Sequence, residues 1–263
     1  MANDRLRQAS NVVFAVTQAV ASAATPWLGL PPVGSVSDRF PTYVVPAGYA
    51  FSIWGLIFAL CMAYAVWQAL PAQRESPLLR RVGWLTAAAF AGSTLWEIAF
   101  PAGLYNVSVL LIVTTLVALA VAVGRMAGRQ GSFSTPERVL VWLTCGLYLG
   151  WITVATVANV AQTLTAYGVM ELGLSGEAWG MVMLGAAAAI AAYVTVATGN
   201  AAYPLAVVWA LVAVFVARRA PPVVTESGTV ATVALAAAAV VVLATIGRRL
   251  RGGPKTGPHT RRA

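Results

Sequence analysis

Apolar residues fall along this chain in long, nearly unbroken runs. Runs of about 20 residues, the length that crosses a bilayer as a helix, cover about 10–30, 48–70, 82–103, 105–124, 138–162, 179–198, 202–217 and 228–247. They are apolar on every face, without the alternation that marks the strands of a membrane barrel. The pattern predicts an all-α membrane protein, a bundle of about eight transmembrane helices. The third and fourth runs join tightly near Tyr105 and Asn106. The sixth and seventh join at Gly199 and Asn200, with Pro204 where a first helical turn tolerates it. The first run has a second reading, because Arg5, Arg7 and Ala21-Ser22-Ala23 have the form of a cleavable signal peptide. Thr17 and Gln18 interrupt that run and it continues to Leu30, which favours a retained helix; cleavage would leave seven spans.

Composition agrees with the pattern. Of 263 residues 59% are hydrophobic and 10% charged, against about 25% charged in a soluble domain, so there is too little charge to cover a water-facing surface. The net charge of +9 invites a nucleic-acid reading, but the basic residues sit in short loops and at the ends, not in a patch. With eight spans, fourteen of the seventeen basic residues fall on one side, leaving Arg39, Arg218 and Arg219 on the other. The positive-inside rule then predicts cytoplasmic N- and C-termini in a cell (inner) membrane. Residues 248–263 are basic and rich in Gly and Pro, which predicts a disordered cytoplasmic tail. Alanine stretches at 186–192 and 231–239 offer small side chains for close helix packing.

Candidate chemistry is sparse. Cys61 and Cys145 lie inside apolar runs and His259, the only histidine, lies in the tail, so no metal ligand set is expected. No HExxH, GxSxG or paired-acid motif occurs, so no catalytic residue is assigned. Trp27, Trp84, Trp142 and Trp179 fall near span ends, where an interfacial belt is the ordinary reading. Trp54, Trp96 and Trp151 lie deeper. The span directions put them, with Asn159, in one layer toward the non-cytoplasmic face. Glu97 is the only acid within a span; a central carboxylate costs about 2.5–3.5 kcal/mol to insert, which makes it a functional candidate. Asn159 and Gln162 are placed to hydrogen-bond a neighbouring helix.

Two of these segments, and part of a third, resemble the TspO/MBR family, the translocator-protein or tryptophan-rich sensory protein group. In the fifth span Tyr148-x-x-Trp151-x-x-x-Ala155-Thr156-x-x-Asn159 is similar to the family's fifth-helix motif at all five positions. In the second, Pro46 to Phe58 resembles the family's proline-rich entry followed by Phe and Trp. In the third, Trp96 and Phe100 resemble its Trp and Phe pair. The chain departs in three places: Phe51 stands three residues before Trp54 where the family has four, Leu147 replaces a proline, and Ser93 replaces an asparagine. The resemblance covers about residues 10–165. It implies a TspO-like five-helix core at 1–165, three additional helices at 166–247 and the tail at 248–263.

The resemblance further implies a pocket for porphyrins, sterols and other flat hydrophobic ligands, lined or supported by Trp54, Phe58, Trp96, Phe100, Tyr148, Trp151, Ala155 and Asn159. The loop from Pro31 to Val45 would be its lid, and Glu97 or Asn159 would fix ligand orientation. No cofactor is firmly implied. A porphyrin or haem would enter as ligand, recognised by its ring because no histidine is at hand. The expected partners are membrane lipids and a hydrophobic small molecule, with a homodimer left open and no nucleic acid. The competing expectation is a secondary transporter of another small molecule that uses Glu97.

Overall fold

The structure is a computed structural model that describes residues 2–169, 173–219 and 225–251. These residues form nine helices and no strand. They are α1 (Ala2–Ala24), α2 (Val33–Arg39), α3 (Ile53–Ala69), α4 (Pro77–Ala99), α5 (Tyr105–Met126), α6 (Thr144–Ala166), α7 (Gly176–Thr198), α8 (Ala202–Arg219) and α9 (Gly228–Arg251). α1 runs on through a 3-10 turn at Thr25–Leu28, α3 is entered through another at Gly48–Ser52, and α6 through a π-helical segment at Glu137–Leu143. Local chemistry sets several ends. Pro77 follows Ser76, whose hydroxyl caps α4 by accepting the Leu79 N–H, and Gly199 closes α7 at φ 68°, a left-handed value glycine adopts without strain.

Eight long helices thus stand where eight apolar runs were read, and their pairing follows the alternation that eight crossings require. The Gln8 side-chain amide in α1 donates to the Gln68 carbonyl in α3 (2.6 Å) and Asn11 to the Gly83 carbonyl in α4 (2.7 Å). Gln130, just after α5, donates to the Thr198 carbonyl at the end of α7 (2.8 Å). Starts of α1, α4, α6 and α8 therefore share one end of the bundle with the ends of α3, α5, α7 and α9, and that end carries most of the arginines.

The strength of the membrane signal differs among them. Six helices (α3, α5, α6, α7, α8 and α9, two with their entry turns) are long and apolar enough to cross by themselves; a seventh crossing comes only from α1 taken with α2, across a 67° bend. α4 does not qualify by composition. Both α1 and α4 have 23 residues, about 34 Å at 1.5 Å per residue, so length is not what they lack. Their polar residues face inward, where Arg7, Asn11, Gln18, Thr86, Ser93 and Glu97 are all buried. Thr86 donates to Asn11 Oδ1 (2.6 Å) and bonds the Tyr64 hydroxyl (2.9 Å). Polar groups turned inside a bundle, away from the acyl chains, suit a membrane, but they lower the hydropathy by which a span is read.

The C-terminal helices pack by a different means. α7 and α9 meet through buried Ala187, Ala188 and Ala191 and buried Ala231, Ala234, Ala237 and Ala238, as the alanine stretches predict. α8 docks on α6 over two glycines. A Cβ on Gly150 would lie 2.3 Å from the Tyr203 carbonyl oxygen, and one on Gly146 would overlap the Asn200 side chain. Asn200 uses that space to donate to the Trp142 carbonyl (2.6 Å) and to accept the Ala202 and Tyr203 N–H groups at the start of α8.

Three expectations change here. Trp142, read as belt, is buried and its ring leans on Phe133, because the α8 start and Asn200 cover it; Trp27 and Trp84 do face outward. The tail begins later than expected, since α9 continues helical to Arg251; the rest of the tail, with His259, lies outside the described residues. The lid read as a loop contains a helix, α2, which starts directly after Pro32. A proline leaves a fixed φ and no donor to satisfy, which suits the residue before a first turn. Cys61 and Cys145 are buried and free.

Candidate functional site

At the end of the bundle away from most of the arginines, α3, α4 and α6 bring their deep aromatic side chains together. The ring of Trp54 stacks on Phe58 (centroids 5.1 Å apart) and Trp96 (6.3 Å), and meets Tyr148 (5.9 Å) and Trp151 (6.1 Å) edge-on. Trp96 in turn stacks on Phe100 at 5.2 Å with the planes 8° apart. Offset-stacked and edge-to-face pairs of this kind add about 0.5–1.5 kcal/mol each beyond area burial, so the cluster is a rigid wall.

A cavity lies against this wall, nearly closed while the lid is down. Of the residues read from the sequence, Trp54, Trp96, Phe100, Trp151, Ala155 and Asn159 line it. Phe58 and Tyr148 do not; both pack on Trp54 from behind. Glu97 is buried beside Ser22 of α1, and its Oε2 has no partner among the described residues. It follows Trp96 directly on α4, so its side chain leaves the helix on another side and meets α1 rather than the cavity.

Asn159 organises the polar side of the site. Its Oδ1 accepts the Trp96 indole N–H (3.0 Å) and its Nδ2 donates to the Ser108 hydroxyl of α5 (3.1 Å). The amide therefore locks the Trp96 ring in place. Trp151 is different. It is buried and lines the cavity, yet its indole N–H has no acceptor among the described residues. A buried donor left unpaired costs about 1–3 kcal/mol, so this one is the unmet demand of the site.

Several lining residues were not among those expected to form the pocket wall. Phe51 is the most telling. The Gly48–Ser52 turn is 3-10, with three residues per turn, so side chains three apart eclipse. Phe51, in that turn, and Trp54, in the first turn of α3, both line the cavity, and the ring of Phe51 meets Trp151 edge-on at 5.9 Å. Gln162 lies three residues past Asn159 on the same helix face and ties down the lid, donating from Nε2 to the Ser37 carbonyl (2.8 Å) and hydroxyl (2.7 Å). Val33 and Ser37 of α2 close the cavity from above. Ser108 carried no signal in the sequence, because a lone hydroxyl in an apolar run is usually back-bonded.

The far side of the lid is anchored by Arg218, one of the three basic residues on the wrong side of the charge partition. It is buried, and its guanidinium donates to the carbonyls of Thr42 (3.0 Å), Val45 (3.4 Å) and Thr225 (3.2 Å), and to the Thr225 hydroxyl. Arg218 departs from the charge rule because it holds backbone carbonyls. Close by, the Trp209 indole N–H of α8 donates to the Ala50 carbonyl (3.0 Å).

Fold and site together define an integral membrane protein, an all-helical bundle with a buried aromatic cluster beside a lidded cavity. The family model described as TSPO-like protein matches residues 8–247, and the chain belongs to that family. The match runs through the last three helices, beyond residue 165, where the motif resemblance stopped. No curated protein and no solved structure matches the chain.

Proposed function

We propose that the cavity binds a flat, apolar ring compound of porphyrin or sterol type that carries at least one hydrogen-bond acceptor, for sensing or transport. One observation carries this reading: the unpartnered indole N–H of Trp151, buried at a cavity walled by Trp54, Trp96 and Phe100. Stacking on the indole rings and apolar burial supply affinity, and the Trp151 N–H fixes orientation by taking an acceptor from the ligand. The ring, not a metal, is what this site recognises, for its lining holds no imidazole, thiol or thioether. Entry requires α2 to lift, because only about 30 Å³ is open to the centre of a water molecule while the lid is down. Gly29 at φ 70° and Pro31-Pro32 mark one hinge of that lid.

The test is titration of the detergent-purified protein with protoporphyrin IX, followed by the porphyrin's own absorbance band so that removing an indole does not remove the reporter. Saturable binding that is lost in the Trp54→Ala/Trp151→Ala double variant supports the reading. Absence of saturation, or equal binding by the double variant, overturns it. Cholesterol and carotenoid-like lipids as competitors then rank the ligand classes.

A second reading, coupled transport of another small solute, has its own observation in favour: the buried, unpartnered Glu97 Oε2. Solute flux into proteoliposomes that stops in Glu97→Gln while porphyrin binding persists would support it.

A further inference from the structure

We propose that the crevice between α5, α6 and α7 is a second binding site, which takes one acyl chain of an anionic phospholipid with its phosphate at the arginine-rich end. The crevice is the roomier of the two, with about 1150 Å³ between its walls, part of it open to the outside, against about 450 Å³ at the aromatic cavity. It lies on the opposite side of α6: Trp151, Ala155 and Asn159 line the cavity, while Thr153, Thr156 and Val157 line the crevice. It exists because α5 packs on α4 and α6 whereas α7 packs mainly on α9, so the middle of α5 and the middle of α7 diverge.

Its walls suit a hydrocarbon chain. Ala120 and Gly124 form one side and Tyr193 and Ala197 the other, and a Cβ added to Gly124 would meet nothing within 4 Å. The three threonine hydroxyls in its lining are already spent, Thr153 donating to the Leu149 carbonyl (2.8 Å), Thr156 to the Ile152 carbonyl (2.7 Å) and Thr198 to the Val194 carbonyl (2.7 Å). The buried floor therefore asks for no polar occupant. The crevice opens sideways, where Tyr193 is 74% exposed; in a bilayer that side is lipid.

Charge complementarity selects the headgroup. At the end closed by Gln130 and Thr198, Arg138 reaches the Gln130 carbonyl (3.2 Å) and Arg248 reaches the Val196 carbonyl (3.1 Å). Neither forms an ion pair among the described residues, where the ion pairs involve only Arg7 and Arg80. Arg125 and Arg129, at the end of α5, turn toward α4 instead: Arg125 donates to the Arg81 carbonyl (3.0 Å), and Arg129 shares a groove with Arg81 and Glu137. Two guanidinium groups without carboxylates, at the mouth of an apolar slot, match a phosphodiester joined to an acyl chain.

The experiment is native mass spectrometry of the full-length protein with phosphatidylglycerol or phosphatidylcholine of identical chains. The expected result is one retained phosphatidylglycerol, favoured over phosphatidylcholine. Arg138→Gln and Arg248→Gln should each weaken retention about fivefold, the share of one arginine near a charged surface. Ala120→Phe and Ala197→Phe, on opposite walls, should each abolish retention while protoporphyrin titration, read at the other face of α6, stays unchanged and certifies the fold. Equal retention of the two lipids overturns the proposal, as does retention of phosphatidylglycerol in both phenylalanine variants. Displacement by millimolar inorganic phosphate would instead make this a free-phosphate site. A shift in the dimer fraction of the phenylalanine variants with lipid retention intact would make the crevice a contact between copies of the chain; either result overturns the lipid assignment.

Discussion

The two sides of α6 are built on opposite principles. Toward α3 and α4 it presents Trp151, Ala155 and Asn159 to a wall of indole and phenyl rings, closed by a helical lid and fixed by a side-chain amide. Toward α8 and the crevice it presents glycines and back-bonded threonines, and the neighbour comes so close that backbone nearly touches backbone. The first side gains rigidity from large, directional rings with one donor left over. The second gains it from the absence of side chains. A single helix can carry both because residues at i, i+4 and i+8 share a face while the intervening ones turn away.

Substitutions can break this contrast, beginning with the most disruptive. Gly150→Leu drives a side chain into the Tyr203 carbonyl and should cost at least the upper end of the roughly 1–3 kcal/mol typical of overpacking. The outcome to measure is loss of monodisperse protein or a large fall in thermal midpoint, and a normal midpoint would mean that α8 does not seat on this glycine. Asn159→Leu strands the Trp96 indole N–H, while the Ser108 hydroxyl keeps the Tyr105 carbonyl; this should destabilise by about 1–3 kcal/mol and weaken porphyrin binding together, and denaturation monitored in detergent, alongside titration, checks both. Trp151→Phe keeps a ring but removes the unpaired donor. Porphyrin affinity should drop about five- to tenfold, the worth of one hydrogen bond, with stability unchanged or raised, a split that a merely structural tryptophan would not give. Thr153→Val, on the other face, removes the hydroxyl that accepts from Tyr203 (3.3 Å) and should cost only about 0.6 kcal/mol, the mean for hydrogen bonds between membrane helices, leaving porphyrin binding alone.

Legibility from the sequence followed the same divide. The Tyr148, Trp151, Ala155, Asn159 spacing and the deep Trp54 and Trp96 could be read because large aromatic and amide groups are rare in apolar runs, so their positions carry information. Trp142 was misplaced because depth along a span says nothing about which side faces a neighbour. Arg218 broke the charge rule for a reason no rule of loops contains, since its partners are carbonyls of Thr42 and Val45, more than 170 residues away in the chain. Glu97 stood out by its cost, but whether it would meet the cavity or α1 depended on the rotation of α4, which composition does not encode.

What the chain settles by itself is where its long helices run and which end of each meets the arginine-rich end. Those follow from the length of apolar runs and from where basic residues stop, both local properties. Tertiary structure alone decided that α2 folds over the cavity, that Phe51 and Trp54 face the same cavity, and that α7 leaves α5 to open a crevice. In lipid the apolar surface of every helix is equally content against a neighbour or an acyl chain. Which faces meet is therefore set by shape and by a few polar groups such as Asn159, Gln162 and Asn200, whose partners exist only once the helices have packed.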